Sequence, residues 1–202
     1  MTITIKYSLE GNDIKYQNFN EIQQLPDYDS IVYIDCSGNN LTELPSNLPE
    51  SLQLLNCSGN KLTELPSRLP ESLQILYCSY NKLTELPSKL PESLQNLYGS
   101  NNKLTELPSK LPGSLRVLYC SNNKITSLPI NLHELRNLTF VDYSNNEIEY
   151  IPPQTTRFLN RLKNKGLTQP KLYNDGQNVH NHQIQESIRN SMNSVMADKP
   201  SI

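Results

Sequence analysis

Apolar residues are scarce in this chain of 202, at 36%, fewer than an ordinary mixed globular core needs. A surplus of either charge is also missing. Eighteen Lys and Arg stand against 20 Asp and Glu, for a net charge of −2, which offers no handle to nucleic acid or a membrane surface. No apolar run approaches the ~20 residues of a membrane span, and the opening has no signal-peptide core. A soluble, intracellular protein is therefore expected, and the formal glycosylation sites at Asn40, Asn56 and Asn137 carry little weight. Glycine numbers only 7, and no G-x-x-x-x-G-K phosphate loop, Ser-His-Asp order or paired-carboxylate motif stands out. An enzyme and a bound cofactor are not expected. Of the three histidines, His180 and His182 flank one residue but have no further ligands nearby for a metal.

Repetition is what the chain has. The stretch from Lys82 to Pro112 opens and closes on the same phrase, "KLTELPSKLP". Aligned on asparagine, the units fall at Asn39, Asn60, Asn81, Asn102, Asn123 and Asn146, in steps of 21, 21, 21, 21 and 23. Each asparagine sits in the frame L-x-x-L-x-C-x-x-N-x-L-x-x-L-P. In the second unit the frame is Leu52, Leu55, Cys57, Asn60, Leu62, Leu65 and Pro66. A repeat array needs fewer apolar residues, because each unit buries one stripe against its neighbours.

The spacing predicts the coil. Leu55 and Cys57 are two apart, so a short strand turns both inward. Successive strands stack in parallel ~4.8 Å apart. Asn60 ends the strand, where its amide can serve turn backbone groups. Leu62 and Leu65 fill the same core. Pro66 and Pro70 fix φ and lack N–H donors, so the return limb is expected to be extended rather than helical. The fifth return, "LPINLHELRN", is two residues longer and lacks the second proline, which suits a helical turn.

Over residues 31–152 the chain resembles the leucine-rich repeat family. Its "LPxxLPESLQxLxCSxNKLTELP" wording is similar to the short "LP" subclass of secreted bacterial effectors, and to arrays in giant DNA viruses of amoebae. The asparagine-rich style and the tail "YNDGQNVHNHQIQESI" lean toward the viral group. The resemblance implies an α/β solenoid, a horseshoe with short parallel strands on its concave face, that binds a protein partner. Effector ubiquitin ligases of the subclass carry a catalytic domain after the array. The ~50 residues that follow this array contain no cysteine, so a thioester-forming site has nowhere to reside.

Cys36, Cys57, Cys78 and Cys120 share one repeat column, with Gly99 in the remaining slot. Four sulfurs in a line cannot surround a tetrahedral zinc, and parallel Cβ vectors disfavour disulfides. A ladder of small buried hydrophobes is expected. Exposed columns such as Glu43, Glu64, Glu85 and Glu106, or Lys61, Lys82, Lys103 and Lys124, are copied faithfully and so say little about a site. Two strand columns are not. One runs Tyr33, Leu54, Ile75, Asn96, Val117, Phe140; the other runs Asp35, Asn56, Tyr77, Tyr98, Tyr119, Asp142. Both are expected on the concave face, exposed, beside a serine column. Strand surfaces favour such residues in any case, but an aromatic and aliphatic strip framed by Asp and Ser has the composition of an interface. The expected partner-binding residues are those of both columns other than Leu54.

Four segments follow. Residues 1–29 form a β cap with a degenerate half-repeat, Asn20–Pro26. Residues 30–152 form six repeats. Residues 153–167 form a capping helix with Phe158, Leu159 and Leu162 on one face and Gly166 as its stop. Residues 168–202 hold a linker and an amphipathic helix with Ile184, Ile188, Met192 and Val195 at helical spacing. That helix, over 180–196, could mediate self-association, so a structural or assembly protein is the alternative reading. The targeting subunit of an enzyme complex is a more remote one.

Overall fold

In a computed structural model, residues 1–164 are described and lie within one compact unit, Met1–Lys165. The expected tail helix over 180–196, the Gly166 stop and the His180/His182 pair lie outside the described residues.

A single eight-stranded sheet runs through the unit. The start forms a hairpin of β1 (Ile3–Lys6) and β2 (Ile14–Tyr16), and β1 pairs antiparallel with β3 (Tyr33–Asp35). From β3 onward every pairing is parallel: β4 (Leu54–Asn56), β5 (Ile75–Tyr77), β6 (Asn96–Tyr98), β7 (Val117–Tyr119) and β8 (Phe140–Asp142). Each of these strands spans three residues, ending one residue before the cysteine column that the sequence spacing places on it, in register with the same window of its neighbours. The central residue of each, Ile34, Leu55, Leu76, Leu97, Leu118 or Val141, points into the coil. The first five of these are fully buried.

The ladder asparagines do more than end a strand. Asn60 Nδ2 donates to Cys57 O in its own coil and to Cys36 O in the coil before, both at 3.0 Å. Its Oδ1 accepts from Asn39 N at 3.0 Å and Leu41 N at 2.9 Å, also in the preceding coil. Asn81, Asn102, Asn123 and Asn146 reach back in the same way. One side chain thus staples two coils and satisfies backbone groups that the turn would otherwise leave buried and unpaired. Ser72, Ser93 and Ser114 add a second staple, each hydroxyl donating to a leucine carbonyl one coil earlier at 2.7–2.8 Å.

The residue just before each ladder asparagine must enter the left-handed region. Gly38 and Gly59 do so at φ 66°, and Tyr80, Asn101, Asn122 and Asn145 at 53–58°. Glycine and asparagine tolerate that region; a tyrosine does not do so readily.

The return limbs of the regular coils contain neither helix nor strand, as their prolines dictate. The long fifth return forms a 3-10 turn, Leu132–Glu134. His133, in that turn, is half-buried and its Nδ1 enclosed. The half-repeat before the array is not a repeat limb. Asn18 Oδ1 accepts from Glu21 N at 3.0 Å and caps a short helix, α1 (Phe19–Gln23), whose Phe19 and Ile22 are buried. Helix α2 (Pro153–Asn164) starts with proline in the first turn, where its missing N–H costs nothing. It lies against the 3-10 turn, burying Leu159 and Leu162.

Candidate functional site

The sequence places its candidate residues in two columns, and the fold brings them together on one face. Register pairs Tyr33 with Leu54, Ile75, Asn96, Val117 and Phe140, and pairs Asp35 with Asn56, Tyr77, Tyr98, Tyr119 and Asp142. The second column carries an aromatic stack. Tyr77 and Tyr98 stack with ring centres 4.3 Å apart, and Tyr98 and Tyr119 at 5.1 Å. Phe140, from the other column, continues it against Tyr119 at 4.7 Å with a 34° tilt. Strand spacing dictates this: in-register rings on adjacent parallel strands meet at about stacking distance.

The expectation of an exposed strip needs correction. Tyr33, Asp35, Leu54, Asn56, Ile75, Tyr77, Asn96 and Tyr119 are buried. Only Tyr98, Val117, Phe140 and Asp142 are half-buried. Ring-on-ring stacking accounts for part of the change, since Tyr98 and Tyr119 are each sandwiched between two aromatic neighbours. Burial pushes the Tyr119 hydroxyl well above its ordinary pKa, with Tyr98 and the Asp142 carboxylate adding to it. The hydroxyl therefore stays a donor.

The rest of the face is polar. Asp35 Oδ1 accepts from Ser37 N at 2.9 Å, and Asn56 Oδ1 from Ser58 N at 3.2 Å. Asp142 Oδ1 accepts from Ser144 N at 3.0 Å and Ser144 Oγ at 2.7 Å. Ser100 and Ser121 hydroxyls meet at 3.0 Å. The second column thus runs from polar at β3 and β4, through tyrosine at β5 to β7, to Asp142 at β8.

Sequence reasoning missed Tyr80. It stands at φ 56° and is 49% exposed, at the rim of the face three residues past Tyr77. The signal was available in its column, which reads Gly38, Gly59, Tyr80, Asn101, Asn122, Asn145. A tyrosine held where five other coils use glycine or asparagine is strained, and such strain often accompanies function.

The cysteine column behaves as expected. All four thiols are free and buried. Cys36 Sγ donates to Asn56 O at 3.4 Å, and Cys57 Sγ to Tyr77 O at 3.3 Å. Burial pushes Cys78 and Cys120 up to about 12, with Asp142 adding to the shift at Cys120, and raises Cys36 and Cys57 as well. Among the described residues no group of His, Cys, Asp and Glu could hold a metal ion.

The charged columns lie elsewhere. Glu64, Glu85 and Glu106 line a shallow groove of about 400 Å³ with Ser67, Ser88 and Ser109. None of the three ion pairs among the described residues uses these glutamates or the Lys61, Lys82, Lys103, Lys124 column. No helix among the described residues is long and apolar enough to cross a membrane.

Comparison with known proteins agrees with the coil geometry. The leucine-rich repeat family model matches residues 51–71 and 72–97, and the model for two copies of that repeat matches residues 113–153. The leucine-rich repeat domain of a Shigella effector is 34% identical, with a TM-score of 0.56, over 66% of this chain and 65% of that one. The functional domain of InlJ from Listeria monocytogenes, described as including a cysteine ladder, is 31% identical, with a TM-score of 0.50, over 60% of this chain and 27% of that one. YopM from Yersinia enterocolitica is 34% identical, with a TM-score of 0.44, over 59% of this chain and 31% of that one. The chain thus spans about two thirds of the Shigella domain and about a third of YopM. No curated protein matches the sequence.

Proposed function

In this leucine-rich repeat protein, which resembles bacterial effector repeat domains, we propose that the strand face binds a protein partner without catalysis. Proteins of this family typically mediate protein–protein interaction, and the effector-like likeness makes a host protein the proposed target. The observation that carries the reading is the aromatic stack Tyr77–Tyr98–Tyr119–Phe140. It occupies the columns where copying was not faithful, while "LTELP" stayed fixed beside them. Rigid aromatic surface is frequent among binding hot spots.

The burial pattern narrows the contact. Tyr98, Val117, Phe140 and Asp142 keep solvent access, so the partner engages this end first, with exposed Tyr80 at the rim. The residues toward β3 and β4 complete the strip only once their polar groups are offered a replacement, since desolvated hydrogen-bonding groups are expensive to leave unpaired. A likeness to arrays of amoebal viruses rests on the wording of the sequence alone.

Site-specific photo-crosslinking tests the reading. A benzophenone side chain at position 98 or 140 should trap the partner in the cell where this protein acts. The same group at Glu85, on the groove side, should not. Crosslinks concentrated at position 85 would move the site to the charged columns.

A further inference from the structure

Each coil of the array hands a fixed set of backbone groups to the next. The N–H of Cys36, Cys57, Cys78, Gly99 and Cys120 donates to the last residue of the following strand, and that of Gly38, Gly59, Tyr80, Asn101 and Asn122 to the serine two residues beyond it. The carbonyls of Gln53, Gln74, Gln95 and Arg116 each accept two N–H groups from the following coil. At the last coil the pattern runs out. The corresponding groups are the Tyr143 and Asn145 N–H and the Thr139 carbonyl. In the parallel ladder, Phe140 and Asp142 face β7, so the N–H and C=O of Val141 point outward with them. Among the described residues β8 has one neighbour in the sheet, β7.

The side chains tell the same story. Leu118, Cys120, Ile125 and Leu128 are buried, but their successors Val141, Tyr143, Ile148 and Ile151 are only half-buried. Helix α2 covers the return-limb half of this end by lying against Leu132–Glu134. The strand half is left uncovered by the described residues. Natural sheets guard such an edge with a very short strand, charge, proline or a bulge; β8 is three residues long and carries Asp142, but has none of the other devices. Residues 139–145 contain no lysine or proline, and the register of β8 on β7 has no bulge.

Charge at this end departs from the repeat. The column Lys61, Lys82, Lys103, Lys124 continues as Glu147, and the threonine that follows becomes Glu149. Both glutamates are exposed, with Asp142 half-buried nearby in the same coil, and residues 137–156 contain no Lys or Arg. Three carboxylates in a stretch with no cation of its own, Lys124 lying one coil earlier in the column of Glu147, disfavour a second copy meeting the same edge of this one, and favour a positively charged strand.

We propose that the outer edge of β8 receives an extended segment of a protein partner as an added strand, and that this segment carries lysine or arginine. Its main chain pairs with Thr139, Val141, Tyr143 and Asn145. Its apolar side chains cover Val141 and Tyr143, and its cations meet Asp142, Glu147 and Glu149. This is strand addition at a sheet edge, where backbone bonds supply affinity and alternate side chains supply specificity.

A fluorescein-labelled peptide of alternating lysine and valine is the probe, titrated into the full chain by anisotropy. Amide exchange is read by NMR at Val141, Tyr143 and Asn145. The expected result is saturable binding that slows exchange at those amides about tenfold or more. Reversing Glu147→Lys and Glu149→Lys together, both exposed positions, should weaken binding by about tenfold or more. The glutamate–valine peptide should fail to bind. Absent binding overturns the proposal, as does binding without protection of these amides. Equal binding by a peptide N-methylated at alternate amides would show a charge contact only, and would also overturn it. Protection that grows with protein concentration and no peptide would give the edge to a second copy instead.

Discussion

Replacing Gly99 should stabilise the protein, although glycines in repeat proteins are often indispensable. Gly99 occupies the cysteine column between Cys78 and Cys120, and its backbone lies outside the left-handed region. A Cβ built there would meet Tyr119 O at 3.7 Å, Cys78 Sγ at 3.8 Å and Leu104 Cδ1 at 3.9 Å, which is ordinary contact. Gly99→Ala therefore gains the backbone entropy that glycine loses on folding, roughly 0.5–1 kcal/mol. Gly99→Cys adds a buried thiol, about 0.8 kcal/mol more by analogy with a methylene, and can donate to Tyr119 O as Cys57 donates to Tyr77 O. The expected gains are about 1 kcal/mol for alanine and about 1–2 kcal/mol for cysteine. For a unit of this size they correspond to roughly 2–8 °C in melting temperature. Repeat arrays need not melt in one step. Urea unfolding should therefore be followed together with amide exchange in β5, β6 and β7. If neither variant raises the midpoint, the cysteine column is not the packed ladder described here. If alanine stabilises and cysteine destabilises, the column is intact but too tight for sulfur at this coil.

Asn123→Ala should cost about 1–3 kcal/mol, the penalty for one stranded buried group. It would strand Leu104 N, while the Gly99 and Cys120 carbonyls keep their bonds from Asn102 and Asn146; urea denaturation measures the loss. Tyr80→Asn should stabilise by about 1 kcal/mol, because asparagine tolerates the left-handed backbone better than tyrosine; a lower melting temperature would show that the tyrosine ring does structural work there. Thiol reagent should reach none of Cys36, Cys57, Cys78 and Cys120 until the protein unfolds, and rapid native labelling of Cys57 or Cys78 would refute the inward assignment. Stability should also fall in alkali. Thiols of the unfolded chain titrate near 9 and those of folded Cys78 and Cys120 near 12, so their contribution is complete below pH 9. Between pH 9 and 12 each costs up to about 1.4 kcal/mol per pH unit. A Cys78→Ala, Cys120→Ala double variant should lose stability less steeply over that range, and parallel curves would contradict the assignment.

Most of the coil was legible in the sequence because its determinants are local. The spacing of two from Leu55 to Cys57 fixes a strand, a proline at Pro66 forbids a helix, and the step of 21, with one of 23, fixes the register of every strand. The long fifth return announced its turn through a missing proline. What escaped depends on neighbours in space. That Asn60 staples the preceding coil cannot be read from Asn60 alone, nor that Tyr77, Tyr98 and Tyr119 enclose one another once stacked. The rule that placed the two variable columns outward also expected them exposed, and that was wrong for the eight of twelve that are buried. The Tyr80 anomaly was visible as a broken column, but its meaning required a φ angle. That the described residues leave the outer edge of β8 unpaired is hidden by alignment of repeats, because every internal coil has a successor.

The central claim is that the aromatic end of the strand face, and not the charged groove, holds the partner. Calorimetry of the trapped partner against wild type, Tyr98→Ala and Glu85→Ala tests it directly. All three should be compared at a temperature where circular dichroism shows them folded, because Tyr98→Ala removes two stacking contacts at about 0.5–1.5 kcal/mol each. Tyr98→Ala should weaken binding by about 2 kcal/mol or more, roughly thirtyfold, and Glu85→Ala should leave it unchanged. A large loss from Glu85→Ala, with Tyr98→Ala binding as the wild type does, would contradict the account.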